Sequence, residues 1–240
     1  MNIQKFTKPA RRLLKLRYCG AVIVAAGNAS RMGGIDKVMA PLSGEPMIVH
    51  TVRAFEECPA VKEIVIVTRQ DLLQCVARLC DSYKKVRAVV VGGADRAESV
   101  RNGMNALSDK VRIVAVQDGA RPLVTWEVID RTVRAATTYH AAAPGSPVKD
   151  TTKLVRGGLV ESTPDRSTLR AIQTPQAFDV DLLRGALEQA KLDEAAITDD
   201  CSAVERLGMK VKIVEGDERN IKVTTPMDLK IAQMLLEEKP

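Results

Sequence analysis

Short apolar runs alternate along this chain with segments whose apolar positions recur every three or four residues. Residues 21–24 (Ala-Val-Ile-Val) form the first run, and residues 47–55 read as a helix. Residues 61–68 (VKEIVIVT) are almost continuously apolar, the pattern of a parallel strand buried on both faces. In residues 71–83, Leu72, Leu73, Val76 and Leu79 share one helical stripe. Residues 86–91 and 111–117 read as strands, with a helix over 97–107 between them. A helix over 126–139 leads into the small-residue strand 141–143. This alternation predicts an α/β fold with a mostly parallel sheet and helices on both faces. Ligands of such sheets bind at the carboxyl ends of the strands.

From 148 to 178 the rhythm breaks. Lys153-Leu154-Val155 and Leu159-Val160-Glu161 flank Arg156-Gly157-Gly158, which predicts a protruding β-hairpin. Long excursions from a compact domain are usually functional, so an arm that covers a site or grips a second subunit is expected. Helices over 180–190, 198–207 and 226–236 and a strand over 210–214 complete the pattern. There is no repeat and no low-complexity stretch, so residues 18–240 read as one domain behind a 1–17 extension.

Composition refines this picture. With 240 residues, 45% of them hydrophobic and only 3% aromatic, the chain can bury a core, and that core must be aliphatic. The formal charge of +6 comes entirely from the N-terminus. Lys5, Lys8, Arg11, Arg12, Lys15 and Arg17 carry the whole excess of basic over acidic residues. A neutral body argues against nucleic-acid binding. The tail has no cleavable apolar core and reads as a frayed or packed extension, a short surface helix or a weak membrane-surface anchor. No run is long enough to span a membrane, and no stable membrane association is expected. The five cysteines have no metal-type spacing and suggest reduced thiols in a cytoplasmic protein. Cys19, Cys75 and Cys80 lie in apolar contexts and read as core filler.

The candidate chemistry clusters after the strands. Ala25-Ala26-Gly27-Asn28-Ala29-Ser30-Arg31-Met32-Gly33-Gly34-Ile35-Asp36-Lys37 follows the first. Glycines let the backbone approach a ligand, exposed amides bind anions, and Arg31 and Lys37 add charge. It reads as a phosphate cradle or as an ordinary strand-to-helix loop. It is neither a Walker loop nor the Gly-x-Gly-x-x-Gly dinucleotide fingerprint. After the third strand, Gly93 and Ala94 can meet a base edge and Ser99 can bond to it; a turn that starts a helix is the other reading. Asp118 at the end of the fourth strand can hold Mg²⁺ or a ribose hydroxyl, and Arg121 can pair with a phosphate. The alternative there is an Asp–Arg turn with Pro122 opening a helix. Arg166 and Lys222 are isolated cations, each readable as a surface charge. His50 and His140 have no acid partner in triad-like spacing and read as structural.

Seven blocks taken together resemble the 2-C-methyl-D-erythritol 4-phosphate cytidylyltransferase family. They are Ala25-Ala26-Gly27 with Arg31-Met32 and Lys37; Gly92-Gly93 with Arg96 and Ser99-Val100; Asp118 with Ala120-Arg121-Pro122; Asp150-Thr151; Gln173-Thr174-Pro175-Gln176; Thr198-Asp199-Asp200; and Asn220-Ile221-Lys222-Val223-Thr224. They occur in family order and leave only the tail uncovered. The glycine loop is shared among nucleotidyltransferases; the Thr-Pro-Gln and Asn-Ile-Lys-Val-Thr blocks are far more specific. Family members usually carry Pro before the loop lysine, where this chain has Asp36, and the loop looks one residue shorter.

The resemblance implies a Rossmann-like nucleotidyltransferase that joins CTP to methylerythritol 4-phosphate and releases pyrophosphate, with Mg²⁺ as cofactor. By matched position, Arg31 and Lys37 would stabilise the pentacoordinate α-phosphate, and Arg166 and Lys222 would position the acceptor phosphate. Asp118, Arg121, Thr151 and Thr174 would contact the acceptor. Ala25, Ala26, Gly27, Gly93, Ala94 and Ser99 would hold CTP. The arm, at about 148–178 by the breaks in pattern, would reach across a homodimer and lend Thr151 and Arg166 to the partner's site. A ribitol 5-phosphate cytidylyltransferase shares most of these blocks. A guanylyl- or sugar-nucleotidyltransferase and a non-catalytic nucleotide-binding protein are the remaining readings. An acceptor already ionised near neutrality needs no general base, which suits a chain without a His–acid pair.

Overall fold

A computed structural model describes residues 17–27 and 37–238. Most of the basic extension and the loop stretch 28–36, which contains Arg31, lie outside the described residues. The chain begins with β1 (Cys19–Ala25), the small β2 (Pro41–Leu42) and β3 (Glu45–Pro46) ladder, and α1 (Met47–Glu57). It continues through β4 (Val61–Thr68), α2 (Leu73–Cys80), β5 (Val86–Val91), α3 (Arg96–Asn105), β6 (Ile113–Asp118), α4 (Trp126–Tyr139) and β7 (Ala141–Pro147). The hairpin β8 (Leu154–Arg156) and β9 (Leu159–Ser162) follows, then β10 (Arg170–Ile172) and β11 (Gln176–Asp179). The chain closes with α5 (Val180–Leu192), α6 (Asp200–Arg206), β12 (Lys212–Glu215) and α7 (Pro226–Glu237).

The main sheet runs β5-β4-β1-β6 in parallel. The chain leaves β1 toward β4 and β5, then returns to β6 on its other side. That reversal opens a crevice at the carboxyl ends of β1 and β6. Strand alternation sends Ala21 and Ile23 to one face, where they pack with Phe55, Ile129 and Val133 of α1 and α4. Val22 points to the other face and meets Val100, Leu183 and Val204 of α3, α5 and α6. Helix starts carry the expected caps. The side chains of Asp95, Asp179, Asp199 and Thr225 each accept a backbone N–H of the following turn. His140, read as structural, ends α4 in the left-handed region at φ 67°. His50 is buried, with Nε2 2.8 Å from the Leu42 carbonyl.

The structure differs from the sequence pattern in two places. Residues 170–172 and 176–179, all but the last of which fell inside the expected excursion, are sheet strands. β11 runs antiparallel between β6 and β7, and β10 pairs antiparallel with β7. Both are too short to carry a period, and β7 continues through Pro144, whose carbonyl accepts the Gln173 N–H at 2.9 Å. The segment that projects from the sheet is therefore the β8–β9 hairpin with its flanks. The alternative in which Pro122 opens a helix is not met, and α4 begins at Trp126, where the pattern placed it. Cys75 is exposed rather than core, because on α2 it lies about 100° around the helix from Val76.

Gly103 of α3 lies so close to the sheet that an added Cβ would sit 2.4 Å from Val22 and 2.8 Å from Val67. Gly103→Ala is expected to destabilise the fold by about 1–3 kcal/mol through overpacking against two stiff β-branched side chains, read as a lower denaturant midpoint. An unchanged midpoint would mean that α3 sits further from the sheet.

Candidate active site

Two adjoining spaces occupy the carboxyl ends of the strands. The larger, about 460 Å³, is walled by the ends of β1, β4, β5 and β6. It brings together Ala25, Ala26, Gly27, Lys37, Gly93, Ala94, Ser99, Asp118 and Lys222 of the sequence-predicted residues. The smaller, about 140 Å³, is lined by Arg121 and Thr174, and shares Arg96, Asp118 and Lys222 with the first. Thr151 and Arg166 line neither space. Both are exposed, and Arg166 donates to the Lys149 carbonyl at 2.6 Å. Arg31 lies outside the described residues.

The wall after β5 is a tied turn. Gly93 N–H donates to Ser99 Oγ at 3.0 Å, Ser99 Oγ–H to the Asp95 carbonyl at 2.9 Å, and Ala94 N–H to Glu98 Oε2 at 2.7 Å. The helix-starting turn and the cleft wall are thus the same residues. An added Cβ on Gly92 would meet Ala26 Cβ at 2.4 Å, so only glycine permits this approach of β1 and β5 ends.

Asp118, the last residue of β6, is the electrostatic centre. Its Oδ2 lies 2.8 Å from Lys222 Nζ and 3.6 Å from Arg121 Nε, and its Oδ1 lies 3.7 Å from Arg96. Burial pushes its carboxyl up, but Lys222, Arg96 and Arg121 outweigh burial and hold it below the ordinary 3.8. Arg96 in turn meets Asp200 Oδ2 at 2.8 Å. Burial would lower the Arg96 guanidinium, yet Asp200 and Asp118 keep it raised and charged. Asp200 is fully buried, and its Oδ1 has no hydrogen-bond partner among the described residues.

Three motif segments lock these charges in place. Thr174 Oγ1 accepts the Asp118 N–H at 3.1 Å. Asn220, fully buried, donates to the Thr174 carbonyl at 2.9 Å, and its own carbonyl accepts Arg121 Nη1 at 2.7 Å. Val223 N–H donates to the Ala120 carbonyl at 2.8 Å, fixing the strap that carries Lys222. Gln176 joins Asp199 at 2.7 Å and the Cys201 N–H at 3.0 Å, which seats α6 and Asp200. The space can therefore receive an extended polyanion. Asp118 fits a charged anchor, since its oxygens face three cations. Among the described residues no group of three or more His, Cys, Asp or Glu could hold a metal.

Arg96, Asp200 and Arg69 were quoted or passed over in the sequence without a role. Arg96 and Asp200 stand 104 positions apart, and no local pattern links them. The motif blocks that contain them were the only available signal.

The family model described as 2-C-methyl-D-erythritol 4-phosphate cytidylyltransferase matches residues 19–238. A protein of that name from Symbiobacterium thermophilum is 46% identical over 220 residues, spanning 91% of this chain and 92% of its own. Another of that name, from Geobacillus kaustophilus, is 46% identical over 221 residues, spanning 90% and 96%. The crystal structure of 4-diphosphocytidyl-2C-methyl-D-erythritol synthase from Anaerococcus prevotii superposes with a TM-score of 0.84 at 29% identity, covering 92% of this chain and 97% of that one.

Because its folded carboxyl is held below 3.8, Asp118 contributes stability in full above that value and loses it as pH falls through the lower folded value. Asp118→Asn is expected to cost about 3 kcal/mol near neutrality, leaving three cations without their anion. The gap to wild type should close in acid, measured by urea unfolding across pH. A gap that does not narrow would refute the charge-centre role.

Proposed function

The chain belongs to the 2-C-methyl-D-erythritol 4-phosphate cytidylyltransferase family, and from this we infer that it transfers CMP from CTP to 2-C-methyl-D-erythritol 4-phosphate and releases pyrophosphate. The observation that carries the reading is the position of Lys222 and Asp118, paired at 2.8 Å and common to both spaces. A cation so placed can touch donor and acceptor phosphates at once. CTP occupies the larger cleft, held by Ala25, Ala26, Gly27, Gly93, Ala94 and Ser99, and the polyol phosphate lies toward Arg121 and Thr174.

An acceptor phosphate oxygen attacks the α-phosphorus in line. The new P–O bond forms as the bond to the bridging oxygen breaks, and its electron pair leaves with pyrophosphate. The obstacle is repulsion between anions, so catalysis rests on alignment and fixed positive charge. Lys37 and Arg31 take the charge on the pentacoordinate phosphorus, and Lys222 and Arg166 hold the acceptor phosphate. Asp118 anchors the cations and contacts the acceptor. Mg²⁺, when bound, would neutralise part of the triphosphate's charge.

Thr151 and Arg166 lie outside their own chain's cleft, beside a hairpin whose Leu154, Val155, Leu159 and Val160 are all exposed. An apolar projection of this kind supports a homodimer in which residues 148–178 deliver Thr151 and Arg166 to the partner's cleft. Among the described residues no helix is long and apolar enough to cross a membrane, which suits the proposed cytoplasmic location.

Lys37→Ala and Lys222→Ala are each expected to lower kcat about a hundredfold or more, read as pyrophosphate release with CTP, Mg²⁺ and methylerythritol 4-phosphate; near-wild-type turnover in either would defeat the assignment. Turnover with ribitol 5-phosphate or GTP in place of the proposed substrates would redirect it. Mixed Lys37→Ala and Arg166→Ala chains should recover activity that neither has alone, because one site of the mixed dimer is intact. No recovery after subunit exchange would place Arg166 in its own chain's site.

A further inference from the structure

Among the described residues that line the larger cleft there is no aromatic side chain. A nucleobase presents two π faces, and a stacking partner for one of them adds to affinity. Among the described residues, the planar side-chain groups on this wall that carry no negative charge are the guanidinium groups of Arg69 and Arg96 and the amide of Gln70. Arg96 is committed to Asp200 and stands beside Asp118, at the acceptor end.

Arg69 stands at the other end. It follows Thr68, the last residue of β4, and β4 lies between β1 and β5. Thr68 is level with Ala25 on one side and Val91 on the other. The next residues on the three strands are Ala26, Arg69 and Gly92, so Arg69 emerges between the two stretches assigned to the nucleoside. Gly92 N–H donates to the Thr68 carbonyl at 2.8 Å, which holds that level. The Thr68 hydroxyl is buried on the same wall with no hydrogen-bond partner among the described residues, a polar atom that a ligand or water would satisfy.

The Arg69 guanidinium is oriented by a two-point pair with Asp71, from Nε to Oδ1 at 3.0 Å and from Nη2 to Oδ2 at 2.9 Å. Such a fork uses donors in the plane of the group, whereas a π contact uses its face, so the two do not compete. The side chain is one-quarter exposed, enough to present a surface to a ligand. As a surface turn alone, this pair would contribute little.

We infer that Arg69 is the nucleobase platform of this chain, its guanidinium plane lying against the pyrimidine ring while Asp71 sets the tilt. This rests on the CTP reading above and adds the group that recognises the base by its face. Arg69 thereby serves the nucleoside and not the triphosphate.

The test is equilibrium binding of CTP and of inorganic tripolyphosphate to wild type, Arg69→Ala and Arg69→Lys, with folding checked by circular dichroism. Both variants are expected to weaken CTP binding roughly 5- to 100-fold, and tripolyphosphate binding should stay within about twofold of wild type, below 0.5 kcal/mol by the same conversion. Lysine keeps the charge without the plane, so it should not rescue. Recovery of CTP affinity in Arg69→Lys would overturn the inference in favour of a simple charge contact. So would equal losses for CTP and tripolyphosphate, or no loss for either. If wild type binds GTP and not CTP, the nucleotide reading fails instead, and the Arg69 comparison is made with GTP by the same criteria.

Discussion

One carboxylate at the end of a buried strand governs this molecule. Asp118 sits where β6 leaves the sheet, with Lys222, Arg121 and Arg96 converging on it. Without that anion, three cations would crowd a partly desolvated space and repel each other. Without the cations, the carboxylate would be driven to take up a proton by burial. The two requirements meet only if segments far apart in the chain are held together, and the hydrogen bonds around the site do that holding. Thr174 fixes the Asp118 backbone, Asn220 bridges Thr174 and Arg121, and Val223 ties the Lys222 strap to Ala120.

This arrangement explains why a chain with a neutral body can handle polyanions. Many of its positive charges lie on the surface, paired with surface acids, but a distinct group does not. Lys37, Arg96, Arg121 and Lys222 gather at the carboxyl ends of parallel strands, and Asp118 and Asp200 partly neutralise them in advance. A bound triphosphate and acceptor would compete with Asp118 for Lys222 and Arg121, so substrate exchanges one set of ion pairs for another. Preorganisation of that kind lowers the cost of assembling like charges at the moment of reaction.

Asp200 extends the same logic one layer inward. Gln176 seats the start of α6 through Asp199 and the Cys201 N–H, which aims Asp200 at Arg96. Arg96 is thus held from behind by a fully buried carboxylate while it faces Asp118. The Thr-Pro-Gln and Thr-Asp-Asp segments act through this relay as well as through any direct contact with ligand.

Local pattern alone determined much. The apolar run of 61–68 and the stripe of 126–139 gave the same bounds as β4 and α4, because burial on both faces of a parallel strand, and on one face of a helix, leaves a periodic trace. The glycine-rich ends of β1 and β5, Lys37 and Asp118 were legible as candidate chemistry, since close approach and charge demand particular residue types, whereas Lys222, by itself readable as a surface charge, entered only through the resemblance of its motif block. Tertiary structure alone decided which of them meet. Strand order joined Arg96 to Asp200 across 104 positions, and a four-residue strand, β11, entered the sheet antiparallel where no period could announce it. It also separated Thr151 and Arg166 from their own chain's cleft and exposed Cys75. Periodicity records only how a segment faces its neighbours; which neighbours those are depends on hydrogen-bond register and chain reversal, which have no local signature.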